Sequence, residues 1–171
     1  EEPVAYQDDE GIRRLSDLAD AFLMHNRPIH MRVDDSVARS ALSQPYPIRR
    51  ARGFAPDPIA LPMSAPPLLA TGAELKNAFC LARDRYAFLS HHIGDMENYE
   101  TLRSFEEGIA HYERLFRVSP EWIACDLHPN YLATRYAQQR ASQAQLPVIA
   151  VQHHHAHLAA CLADNGWNSS E

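Results

Sequence analysis

Apolar side chains recur at Ile12, Leu15, Leu18, Ala19, Phe22 and Leu23. That three-to-four spacing predicts a helix over about residues 8–26 with one buried face. Asp8 and Asp9 precede it, where carboxylates suit a helix N-terminus. Ile29, Met31 and Val33 then alternate with polar neighbours, which predicts a short strand closing on the polar run DDSVAR. After Pro45 and Pro47, the prolines at 56, 58, 62, 66 and 67 predict an extended linker over residues 54–67. The expected division is one unit over 1–53 and a second over 68–171.

Beyond residue 67 the segments LLATG, NAFCLA and YAFLS predict three short antiparallel strands, turned at Gly72 and at Arg83-Asp84-Arg85. Leu102, Phe105, Ile109, Tyr112 and Phe116 mark an amphipathic helix from Tyr99 to Arg117. WIACDL predicts a strand, Pro129 the first turn of a helix running to about Gln143, and VIAV another strand after Pro147. A last helix opens on histidines and closes at Asn165-Gly166. The order β-β-β-α-β-α-β-α predicts an α/β class with a mixed sheet, parallel strands extending an antiparallel meander. Ribonuclease-H-like folds and one lobe of actin-like ATPases share that order, an analogy of fold that assigns no activity.

The final strand and helix carry the strongest chemical signal, VQHHHAHLAACLADNG at 151–166. His153 and His157 stand four apart and share one helical face, so both imidazoles can reach a single metal ion. His154 and His155 fall elsewhere on the helix. Asp126 and His128, ending the neighbouring strand, are expected to face the same crevice, since ligand sites of open α/β sheets gather at the carboxyl ends of strands. The alternative is a set of polar residues decorating a helix start; the strand-end position favours a metal. Cys161 continues the four-residue series and reads as a small core thiol.

Charge narrows the picture. The net charge of -6 argues against bulk attraction to nucleic acid. Of 16 basic residues, Lys76 is the single lysine. It lies in GAELKNAFC, which reads either as a phosphate-cradling turn or as a solvated hairpin tip, and the sequence leaves both open. MRVDDSVAR and IRRARG bring Arg32, Ser36, Arg39, Arg49, Arg50 and Arg52 together with Asp34 and Asp35. Arginine forks and a serine hydroxyl suit an anion or a nucleotide, against the plainer reading of a surface ion-pair network. Cys80, Cys125 and Cys161 form no C-x-x-C pattern and read as buried free thiols in a reducing cytoplasm. No apolar stretch reaches the ~20 residues of a membrane span. The chain opens on Glu1, which is expected of a piece of a longer protein.

Together, RPIHMRVDDSVAR, RRARGFAPDPI, GAELKNAFCL, HHIGDMENYET, DLHPNYLATRYA and VQHHHAHLAACLADNG closely resemble the HypF family of carbamoyltransferases, which act in nickel–iron hydrogenase maturation. The resemblance implies the end of a YrdC-like α/β domain followed by the first part of an actin-like ATPase domain. That second domain is similar to the one that attaches threonylcarbamoyl to tRNA. It implies cytoplasmic chemistry on carbamoyl phosphate and ATP with Mg, giving carbamoyl adenylate, then transfer to the C-terminal cysteine of a partner, HypE. It assigns Ser36 and nearby arginines, among Arg32, Arg39, Arg50 and Arg52, to the first pocket, and His153 and His157 to a divalent metal, zinc or iron; Lys76 is counted with the substrate- and nucleotide-binding residues on the reading of its turn. A third, carboxylate ligand is implied beyond residue 171. The piece by itself is expected to be inactive. A tRNA threonylcarbamoyl-type transferase and a non-catalytic metal- or nucleotide-binding fragment are the alternatives.

Overall fold

The structure, a computed structural model, describes residues 4–41 and 43–166. The outer ends of the two expected units, 1–3 and 167–171, lie outside them.

Helix α1 spans Asp8–Leu15 and buries none of its residues. It stops well short of the expected residue 26, and Leu18 and Leu23 stand exposed. Without a surface to cover an apolar face, periodicity alone does not sustain a helix. The strand expected at 29–33 does not form. That segment is irregular, and the His30 ring rests edge-on against His111, centroids 5.5 Å apart. Instead, β1 (Val37–Ala41) and β2 (Gln44–Arg49) make an antiparallel hairpin, with Pro45 and Pro47 in β2. A two-stranded ribbon leaves each strand a free edge, where a residue without an N–H is tolerated.

The main sheet comprises β3 (Ile59–Ala70), β4 (Cys80–Leu89), β5 (Trp122–Asp126) and β6 (Val148–Val151), in the order β4-β3-β5-β6. β3 and β4 are antiparallel, while β5 and β6 continue parallel to β3, so the sheet is mixed as expected. Two details differ from expectation. From Ile59 onward the proline-rich segment is strand, its register with β4 shifting between Ala60 and Ala65 and again before Leu68. NAFCLA and YAFLS contribute to one strand, because β4 runs on through Arg83-Asp84-Arg85, with Asp84 at φ 56°, and does not turn there; the extra residues of the irregular pairing lie on β3, where Ala60 and Ala65 face Tyr86 and Asp84.

Helix α2 (Tyr99–Phe116) starts where the Asn98 side chain accepts from Thr101 N at 2.8 Å, and ends on Arg117 in the left-handed conformation. Its buried face, Phe105, Ile109 and Tyr112, meets Leu69, Phe79, Leu81 and Phe88 of the sheet layer. Gly108 permits the approach, since a Cβ there would stand 3.0 Å from Phe79 Cε1. Helix α3 (Leu132–Ala144) lays Ala137 and Ala141 on Ile123 and Cys125 of β5. Pro129 precedes α3 in a turn and is not part of its first turn. Helix α4 (His153–Asp164) buries nothing among the described residues. No helix there is long and apolar enough to cross a membrane.

Candidate metal centre and phosphate turn

Parallel pairing brings the carboxyl ends of β3, β5 and β6 to one edge of the sheet. Thr71 N donates to Ala124 O at 3.0 Å, holding the turn after β3 against the end of β5. Gln152 caps α4 by accepting from His154 N at 2.7 Å, which starts the helix one residue past β6. His153 thus falls in the first turn of α4, beside the last residue of β5.

Asp126 Oδ2 stands 2.6 Å from His153 Nδ1. The Asp126 side chain is 8% exposed against 44% for His153. A carboxylate accepts only, so Nδ1 carries the proton and His153 Nε2 presents a lone pair. That nitrogen lies 3.2 Å from His157 Nε2, with the rings edge to face. Two Zn–N bonds of ~2.0–2.1 Å at a near-tetrahedral angle span about 3.3 Å between nitrogens. The pair therefore fits one divalent ion, with Asp126 as the outer carboxylate that fixes ring and tautomer. Asp126 Oδ1 is engaged too, accepting from His128 N at 3.0 Å. His128, expected in the same crevice, instead stacks on Tyr131 at 4.2 Å. Among the described residues no group of three His, Cys, Asp or Glu is placed to hold an ion. His154 turns to Gln152, Nδ1 to Oε1 3.0 Å.

Lys76 occupies the turn between β3 and β4 at φ 51°. Its N–H donates to Asp95 Oδ1 at 2.6 Å, and that of Asn77 donates to Gly94 O at 2.9 Å. Those two N–H groups are occupied within the protein, so an anion here would meet the side chain of Lys76. Lys76 lines a cavity of about 440 Å³ with Arg49, Arg50, Ser90, His92 and Asp95. Arg50 donates from Nη2 to Asp57 O at 2.6 Å, while its buried Nε has no hydrogen-bond partner among the described residues.

The remaining residues of the arginine-rich group are placed differently. Ser36 Oγ donates to Arg52 O at 2.9 Å and accepts from Ala51 N at 2.8 Å, tying together the two segments that flank the hairpin. Arg52 pairs with Asp35 at 3.4 Å, and Arg49 with Asp34 at 3.6 Å. Arg32 is half-buried, reaches Ile93 O at 3.5 Å, and lines polar grooves beside α1 and α2, away from the Lys76 cavity. Arg39 is exposed on β1 opposite Tyr46. The structure thus unites Arg50 with Lys76, and Asp126 with the histidine pair.

All three cysteines are free. Burial pushes the Cys80 thiol up to about 12 and raises that of Cys125, which suits inert thiols. Cys161, read as a core thiol, is exposed, because α4 has no covered face among the described residues.

Sequence reasoning gave Glu74 no role. Its Oε2 accepts from Leu132 N, the first residue of α3, at 2.9 Å. The one available signal was negative: Tyr131 gives α3 no side-chain cap, and no acidic residue stands in its first turn.

The family description "HypF Kae1-like domain" matches residues 63–164. Carbamoyltransferase HypF2 of Cupriavidus necator is 46% identical over 169 residues, covering 96% of this chain and 21% of that protein. The crystal structure of full-length HypF in its phosphate- and nucleotide-bound form matches with a TM-score of 0.88 at 46% identity, over 96% of this chain and 26% of that one. HypF of T. kodakarensis matches with a TM-score of 0.89 at 39% identity, over 96% and 22%. The chain spans about a fifth of the length of the curated relatives it matches. On these grounds the chain belongs to the HypF family of carbamoyltransferases.

Proposed function

We propose that these residues form part of a carbamoyltransferase that uses carbamoyl phosphate and ATP to make carbamoyl adenylate and passes the carbamoyl group to the C-terminal cysteine of HypE. The observation that carries the reading of the transfer site is the His153–His157 pair, Nε2 to Nε2 3.2 Å, backed by Asp126. The two imidazoles hold a divalent ion, and Asp126 keeps the Nε2 lone pair of His153 in place for it. A bound ion supplies positive charge that polarises phosphate or carbamoyl oxygens. Lys76 and Arg50 bind and orient phosphate oxygens as a point charge and a fork. Ser36 holds the 51–52 backbone in register with 34–36 and so shapes the arginine-rich segment beside the cavity. With the acceptor thiolate coming from the partner, the raised thiols of Cys80 and Cys125 take no part.

The test compares metal content, adenylate formation and carbamoyl transfer in the whole protein, wild type against His153→Ala and His157→Ala. Loss of metal and of transfer with adenylate formation retained is the expected result. Unchanged metal and transfer would leave the pair a decorated helix start.

A further inference from the structure

The sheet edge carries two candidate half-sites, the Lys76 turn after β3 and the His153–His157 pair after β6. One side chain joins them. Glu74, two residues before Lys76, sends its carboxylate to Leu132 N at the start of α3, 58 positions later. Its own carbonyl accepts from Met96 N at 2.9 Å, so the same residue is fixed to the loop whose Asp95 holds the Lys76 backbone. Two residues into α3, Thr134 Oγ1 donates to Asp126 O at 3.1 Å, and the Asp126 carboxylate holds His153. A path of hydrogen bonds, the first residues of α3 and Asp126 itself therefore runs from the Lys76 turn to the His153–His157 pair.

The need for Glu74 is local. The start of α3 leaves backbone N–H groups without intrahelical partners, and the helix supplies neither a cap nor a first-turn carboxylate of its own. A carboxylate fills that role with favourable charge. Because it comes from the phosphate turn, any displacement of that turn is felt at the end of β5.

We infer that Glu74 is a positioning residue that couples the Lys76 turn to the His153–His157 pair, so that a nucleotide phosphate at one and a divalent ion at the other favour each other's binding. This rests on the proposed reading of those two places as phosphate and metal sites. Such coupling is reciprocal.

The experiment titrates Co(II) into the whole protein, followed by its visible absorption, with and without ADP. Wild type, His153→Ala, Glu74→Ala, Glu74→Gln and Glu74→Asp are compared. ADP is expected to tighten Co(II) binding in wild type. Glu74→Ala is expected to weaken Co(II) by less than the ~10-fold or more that loss of the outer carboxylate Asp126 would cost, and to abolish the ADP effect. Gln keeps the reach and the acceptor oxygen and is expected to restore both, whereas Asp keeps charge but is one methylene short and is expected to behave as Ala. If Glu74→Ala retains wild-type Co(II) affinity and ADP response, or if wild type shows no ADP response, Glu74 is a helix cap and nothing more. Co(II) binding untouched by His153→Ala would instead remove the metal reading itself, and this inference with it.

Discussion

Asp126 and His153 face each other across 2.6 Å at the ends of consecutive units of the sheet, one closing β5 and the other opening α4. The carboxylate selects the ring tautomer, and that selection leaves a lone pair toward His157. Asp126→Asn keeps the size but can donate to Nδ1, which reverses the tautomer and places a proton on Nε2. Metal affinity, measured by competition with a chromophoric chelator, is expected to fall about 10–100-fold. Since α4 buries nothing, the unfolding midpoint is expected to move little for His153→Ala and His157→Ala.

His91 is 2% exposed, its Nε2 has no hydrogen-bond partner among the described residues, and burial, aided by Arg32, His92 and His111 against Asp34, lowers its pKa to about 4. In the unfolded chain a histidine titrates near ~6.5. Between those values the unfolded state binds the extra proton, so stability is lost as pH falls from 6.5 toward 4. The loss attributable to this one ring between pH 7 and pH 5 is about 2 kcal/mol. Denaturant unfolding at the two pH values is expected to show that difference in wild type, and less of it in His91→Leu.

Ser36→Ala tests the structural share of this hydroxyl. It leaves Ala51 N, on a residue that is 0% exposed, without its acceptor. The expected cost is about 1–3 kcal/mol in denaturant unfolding.

Gly72→Ala strikes the turn that carries Lys76 directly. Gly72 sits at φ 72°, and an added Cβ would run into the carbonyl oxygen of Ala78. A destabilisation of about 2 kcal/mol or more is expected, read as a shifted unfolding midpoint.

How far the chain could be read before its structure follows from where each signal originates. α2 was legible because Phe105, Ile109 and Tyr112 repeat on a face that the core covers. The i, i+4 histidines were legible because α4 starts on them. α1 was overextended, since Leu18 and Leu23 kept the period without a surface to pack on. β3 and β4 differ from expectation for chemical reasons: prolines imitate a linker, and Arg83-Asp84-Arg85 imitates a turn although β4 runs through it opposite the irregular part of β3. Ser36 and the arginines were found, but which of them serve the backbone depends on contacts such as Ser36 to Ala51 that no local pattern encodes. Glu74 lay beyond sequence reach for the same reason, its partner being 58 residues away.

β3 is central for only part of its length. It meets β5 over Leu68–Ala70, while between residues 59 and 67 the strand partners are those of β4, at Ile59, Ala60 and Ala65. Pro62, Pro66 and Pro67 lie in that half-open stretch, and none of them has an N–H to offer. A wandering strand would find an interrupted row of donors there and gain little by adhering. Exchanging the three for threonine is expected to leave the sheet standing while making it sticky, visible as light scattering that grows with protein concentration.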